Sequence, residues 1–398
     1  MLFAPVTRVA IITRTMDIAY IAQGKIHVKR GDAPPRLLES KFGTNVRLRS
    51  LEMQRKNAWK TQGTGAQFMR GGLWTQRGGD DMHIAVNGIT RRGDDFIYSL
   101  ETSDIGGLFR LSSDGQEEQR LLHTADYRVR EIVAADNGER LACVFAHPAS
   151  SSIAIMRADA TDPVEATEGD SSDMAPSFVP GSSHRLLFQS AGIGRNAAGH
   201  AIARGPFAIH ELNIEAGEVN SILEDPKADL MGPKMDGQGN LYFIRRPWKD
   251  PFARQSPWRG LLDFLLFPFR LLFAIFQFLN FFTVRYTGKM LTTASGAQQR
   301  EADLKQMMIW GNMVDARKAA GQPGDDTPDL VPKDWELVRR DANGSESIVA
   351  RGVVNFDLCR DGRMIYTNGT AIYLRDTEGK TERLAKDSLI SKVVAVEP

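Results

Sequence analysis

The residues with the most distinctive chemistry form a leucine- and phenylalanine-rich run, residues 258–284, reading WRGLLDFLLFPFRLLFAIFQFLNFFTV. Such a run makes and breaks no bonds; what it offers is transfer from water into an apolar phase. Leu, Ala, Arg and Gln favour a helix here, and Pro268 predicts a kink or break in it. Asp263, Arg270 and Gln277, spaced by seven, share one narrow polar stripe. The rest of the surface is apolar, with Trp258, Leu261, Leu262, Leu265, Leu266, Phe269, Leu272, Phe273, Phe276, Phe281 and Phe282 as its contact residues.

The flanks are basic. Arg245, Arg246, Lys249, Arg254 and Arg259 precede the run, and Arg285 and Lys289 follow it. Each cation near an anionic leaflet contributes about 1 kcal/mol, so these positions are candidate anchors. Trp248 and Trp258 are rings of the kind that settle at a membrane boundary. A helix apolar nearly all round also suits an oligomer or partner interface, or the core of a helical subdomain. Residues 302–319, with Leu304, Met307, Met308, Trp310 and Met313, predict a second helix able to cover part of the first. The basic flanks favour lipid among these three surfaces.

Catalytic patterns are sparse. The seven histidines, His27, His83, His123, His147, His184, His200 and His210, show neither HxH nor HExxH spacing. No nucleophile elbow, phosphate-binding loop or dinucleotide fingerprint stands in its required strand–turn–helix setting. No catalytic residue, metal ligand or cofactor is therefore assigned. Residues 192–205 (GIGRNAAGHAIARG) read as a flexible rim loop whose Arg195, His200 and Arg204 suit an acidic peptide or phosphate. A formal net charge of +1 gives no global case for a nucleic-acid partner. Cys143 and Cys359, each inside a predicted strand, suggest free thiols in a reducing compartment. No secretory signal is read at the N-terminus, and a cytoplasmic location follows as an expectation.

The elements that must position these residues are repeats. A β-type run recurs at residues 18–23, 96–101, 141–146, 186–191, 241–246 and 364–369, mostly after a Gly/Asp/Asn-rich turn. Each is followed by a hairpin: residues 26–38, 108–122, 153–164, 207–223, 335–349 and 372–384. Six such units in phase predict four-stranded blades packed around a channel.

Residues 359–380 (CRDGRMIYTNGTAIYLRDTEGK) and, less closely, 136–157 resemble the WD40-like, TolB-type propeller superfamily, although the W-D dipeptide is absent. The resemblance implies a fold and leaves function open. Residues 390–396 (ISKVVAV) are similar to 129–135 (VREIVAA), which opens a blade, so the C-terminus is expected to supply an inner strand to the first blade and close the ring.

The resulting expectation is an all-β, six-bladed β-propeller with a helical insertion between strands of the fifth blade. Residues 1–246 form blades one to five in part, 247–332 the apolar insertion, and 333–398 the remainder and ring closure. Between residues 38 and 81 lies an insertion or a degenerate seventh blade, insertion being favoured. One membrane crossing is forbidden, because strands on both sides of the insertion must meet in one ring. The helix is therefore expected to lie in the interface plane. The functional expectation is a non-enzymatic scaffold at the inner face of a membrane, with a protein partner on the propeller rim and oligomerisation through the apolar helix as a variant. The alternative is a channel-bound metal-dependent hydrolase or small-ligand sensor.

Overall fold

The computed structural model describes residues 16–61, 84–102, 106–125, 128–148, 150–252, 306–309, 312–315 and 327–396. Within them most strands form six four-stranded antiparallel units, and one helix, Lys41–Thr61, stands outside the sheets. The first unit runs from Ile390–Val396 through Asp17–Ala22 and Lys25–Lys29 to Arg36–Leu38. The C-terminal strand thus lies innermost and pairs with the first strand of the chain, Tyr20 opposite Val393. The other five units follow in chain order, and their first strands are Ala85–Arg92, Arg128–Ala134, Ser171–Phe178, Ala228–Met235 and Asn355–Leu358. A single parallel bridge, Ser151 to Ser172, joins the third unit to the fourth.

The six inner strands touch in cyclic order, from the first sheet through the sixth and back to the first. Six apolar clusters fill the spaces between neighbouring sheets, each drawing side chains from both. Side chains alternate across a strand, so one strand serves two interfaces. In the second sheet Phe96, Tyr98 and Leu100 pack towards the first sheet, while Ile97 packs towards the third. Strands buried on both faces read as continuous apolar runs, which is why FIYSLE and LACVFA show no polar alternation. A ring of radially packed four-stranded sheets is a β-propeller. Inner strands approach closely where side chains permit: a Cβ at Gly88 would stand 2.5 Å from the carbonyl oxygen of Arg130.

Antiparallel order sorts the connections to two ends of the ring. First-to-second and third-to-fourth turns lie at one end. They are tight, and many are closed by an aspartate: Asp236 Oδ1 accepts from the N–H groups of Gln238 and Asn240, and Asp376 Oδ1 from those of Glu378 and Lys380. Second-to-third connections and the links between sheets lie at the other end, where the chain makes its long excursions.

Three expectations are corrected here. Within residues 302–319 the described positions are strands, Gln306–Ile309 paired with Asn312–Asp315, rather than helix. Cys359 is buried but lies in a first-to-second turn, where its N–H donates to the Arg363 carbonyl. Residues 192–205 are a projecting hairpin rather than an irregular loop: Arg185–Arg195 extends beyond its sheet and pairs with Ala201–Arg204.

Candidate partner-binding face

At the end carrying the excursions, the connections of the third, fourth and fifth sheets converge. A cleft of about 300 Å³ there is lined by Arg130, Val144, His147, Ser172, Met174, Ile193, Arg204 and Phe252 among others, with no acidic side chain in its wall. A second cleft, about 660 Å³, shares His147, Ser150 and Ser151 with the first and is lined by Glu165 and Glu168, with no Lys or Arg. The two clefts adjoin at these shared residues: Arg130 and Arg204 line the first, 3.9 Å from Glu101 and 3.6 Å from Asp229 respectively, and two glutamates line the second.

His147 stands at the junction. Its Nε2 lies 3.2 Å from Glu165 Oε2 and 3.5 Å from Ser152 Oγ, and the same serine donates to Glu165 Oε2 at 2.5 Å. A nucleophilic relay places the hydroxyl and the carboxylate on opposite ring nitrogens. Here both meet one nitrogen. The arrangement orders the cleft wall and supplies no activated serine.

The rim residues are placed at the same end but do not act as a set. Arg195 pairs with Asp170 and donates to the Gly199 carbonyl at 3.1 Å. Arg204 lies 4.6 Å over the Phe207 ring, with Nη2 3.6 Å from Asp229, and also lines the smaller cleft. His200 is exposed on the hairpin.

Of the basic anchors, Lys249 is exposed. Arg245 bridges two acids, Nη2 to Glu336 Oε2 at 3.1 Å and Nη1 to Glu346 Oε2 at 3.0 Å. Arg246 is buried: its Nε donates to Asp229 Oδ2 at 2.8 Å and its guanidinium lies 4.8 Å over Trp335. Burial pulls its pKa below the ordinary arginine value, against the opposing field of Asp229. Arg246 is therefore not presented to a lipid surface in this structure. The apolar run from Trp258 to Phe282, and Arg254, Arg259, Arg285 and Lys289, lie outside the described residues.

The strands on either side of that interval, Leu241–Pro247 and Glu336–Arg340, pair directly, Arg245 opposite Glu336. On its return the chain docks against the sixth sheet. Leu330 donates its N–H to the Asn368 carbonyl at 2.9 Å and presses on Gly369, where a Cβ would stand 2.5 Å from Leu330 Cβ.

A group that the sequence did not announce lies on the inner strands. Glu131, Lys234, Asp357 and Lys392 come from the third, fifth, sixth and first sheets and interact electrostatically across the ring. Lys234 pairs with Asp357, whose other oxygen accepts the Ala395 N–H at 2.8 Å. Burial raises the Glu131 pKa against the pull of Lys392, and burial lowers that of Lys392 against the pull of Glu131. Each carboxylate of the cluster thus stands among ammonium groups, Glu131 near Lys392 and Lys234, and Asp357 against Lys234. One signal was available: Glu131 and Lys392 occupy the same position in the two similar strands VREIVAA and ISKVVAV.

No protein-family profile matches the chain, and no curated protein matches its sequence. Among solved structures it is similar to TolB from Acinetobacter baumannii, at 8% identity and a TM-score of 0.48, covering 96% of this chain and 66% of that one. It is also similar to a chain of the nidogen/laminin complex, at 7% identity and a TM-score of 0.49, covering 95% and 97%. The tricorn protease matches at 9% identity and a TM-score of 0.46, and the chain spans 34% of its length. These likenesses are of fold. The propeller assignment itself rests on the closed ring of sheets described above.

Proposed function

We propose that this protein is a scaffold, a propeller complete at six blades, which holds a protein partner on the face bearing the two adjoining clefts. Residues 247–332 form an insertion in the fifth blade that ties this face to the cytoplasmic side of a membrane. The observation that carries the reading is the pairing of Arg245 with Glu336. It returns the chain to its point of departure, so the apolar run leaves and re-enters at one end of one sheet. A segment tethered in this way suits an in-plane apolar helix with basic flanks. The adjoining clefts, with Arg130 and Arg204 lining one and Glu165 and Glu168 the other, suit an extended peptide carrying both charges.

The test is co-sedimentation with anionic liposomes. The full chain should bind, binding should weaken with salt, and deletion of residues 261–284 should abolish most of it. A deletion variant that binds as the full chain does would remove the role given to the insertion. Soluble oligomers that dissociate on the same deletion, with no liposome binding, would assign the run to a protein interface instead.

A further inference from the structure

The helix Lys41–Thr61 is anchored at its start and exposed beyond it. Its first turn is fixed in the space between the first and second sheets. Ser40 Oγ accepts the Gly43 N–H at 2.9 Å as an N-cap and donates to Glu118 Oε1 at 2.8 Å. The other Glu118 oxygen accepts the Phe42 N–H at 2.8 Å, and Tyr98 also donates to this carboxylate. The Phe42 ring packs 4.8 Å from that of Phe109. Gly43 then approaches Ile84 and Leu100, which mark the excursion end of the second sheet.

From Arg47 onward the helix leaves the propeller. Arg47, Leu48, Arg49, Leu51, Glu52, Met53, Arg55 and Lys56 are all exposed, Leu48 by 52%, Leu51 by 44% and Met53 by 64%. Four cations stand against a single acid on this stretch. At 1.5 Å per residue, 21 residues reach roughly 30 Å.

We infer that this helix is a second, electrostatic contact with an anionic lipid surface, a reading that rests on the membrane role proposed for residues 247–332. Charge complementarity sets the sign of the partner. The exposed leucines and methionine select lipid over nucleic acid: a polyphosphate backbone gives such side chains no partner, whereas the boundary between headgroups and acyl chains takes cations and apolar side chains together. Position points the same way: the link between the first and second sheets, which carries the helix, belongs by strand order to the end from which the apolar run departs, and Gly43 meets Ile84 and Leu100 there, while Lys41 Nζ reaches back to the Gln116 carbonyl in a turn of the opposite end. Two contacts on one rigid ring would set the orientation of the propeller on the membrane, and the bound state would gain from their linkage.

The experiment compares the full chain with a variant carrying Arg47→Gln, Arg49→Gln, Arg55→Gln and Lys56→Gln, using phosphatidylcholine vesicles with and without phosphatidylserine. All four side chains are exposed, so the unfolding midpoint should not move. The variant should bind phosphatidylserine vesicles at least tenfold more weakly, with a flatter salt dependence, and bind pure phosphatidylcholine vesicles as the full chain does. Equal binding of the variant and the full chain to anionic vesicles overturns the inference and leaves the role of residues 247–332 standing. If deletion of residues 261–284 has no effect while the four substitutions abolish binding, the helix contact holds and the insertion's role falls. A full chain that binds neither vesicle overturns both.

Discussion

Arg245 and Glu336, separated by 91 positions in the sequence, face each other across adjacent strands with Nη2 3.1 Å from Oε2. The pair fixes the mouth of the long interval on the rigid fifth sheet. Whatever the interval does, it acts from that point, beside the Arg246–Asp229 pair and the cleft bordered by Phe252.

The buried pair is the structural foundation of that mouth. Asp229 accepts from Arg246 at 2.8 Å and from the Phe207 N–H at 2.9 Å, and both side chains of the pair are at most 3% exposed. Asp229→Ala leaves a buried guanidinium uncompensated and should destabilise the protein by about 3–5 kcal/mol. Urea unfolding measures the loss. Double replacement of Asp229 and Arg246 by apolar residues should recover a substantial part of it.

Both cysteines are buried, and desolvation raises the pKa of the Cys143 thiol. Neither should react with a thiol reagent at neutral pH while the ring is closed. Reaction should follow urea unfolding, with both thiols appearing in one transition. Rapid labelling of the native protein would contradict the burial.

His27 and His210 are held neutral by burial, against the opposing pull of Asp387 on the first and of Glu224 and Asp173 on the second. Their folded pKa values lie below the unfolded one, so the unfolded chain binds more protons in the window between them. The stability they contribute is present above the ordinary histidine pKa of about 6.5 and is lost as pH falls through the folded values. Thermal midpoints should therefore drop on acidification below about pH 6.5. His210→Gln should flatten that drop, and a slope unchanged in the variant would assign the dependence elsewhere.

The repeat was legible because its signals are local. The six second strands and the hairpins after them lie where Gly/Asp/Asn turns and apolar runs placed them, and the likeness of ISKVVAV to VREIVAA foretold the closing strand. Features that depend on convergence were not legible. Glu131, Lys234, Asp357 and Lys392 meet only because the ring brings four strands to one axis. Arg246 read as a flanking cation because nothing nearby in sequence announces Asp229. The helix Lys41–Thr61 lacks a broad apolar stripe, so its interval offered no 3.6-residue pattern. Its N-cap at Ser40 was the signal available. Within residues 302–319 the methionines suggested a helix, whereas the described positions pair as strands, Met307 opposite Val314 and Met308 opposite Met313.

The central claim is that one end of this propeller meets lipid and the other does not. An environment-sensitive fluorophore attached to cysteine at Phe269→Cys, and separately at Ser113→Cys in a tight turn of the opposite end, tests it directly, since the buried native thiols stay silent. On addition of phosphatidylserine-containing vesicles the label at position 269 should shift to the blue and be quenched by brominated acyl chains, while the label at 113 should not change. No change at 269, or an equal response at 113, would contradict the account.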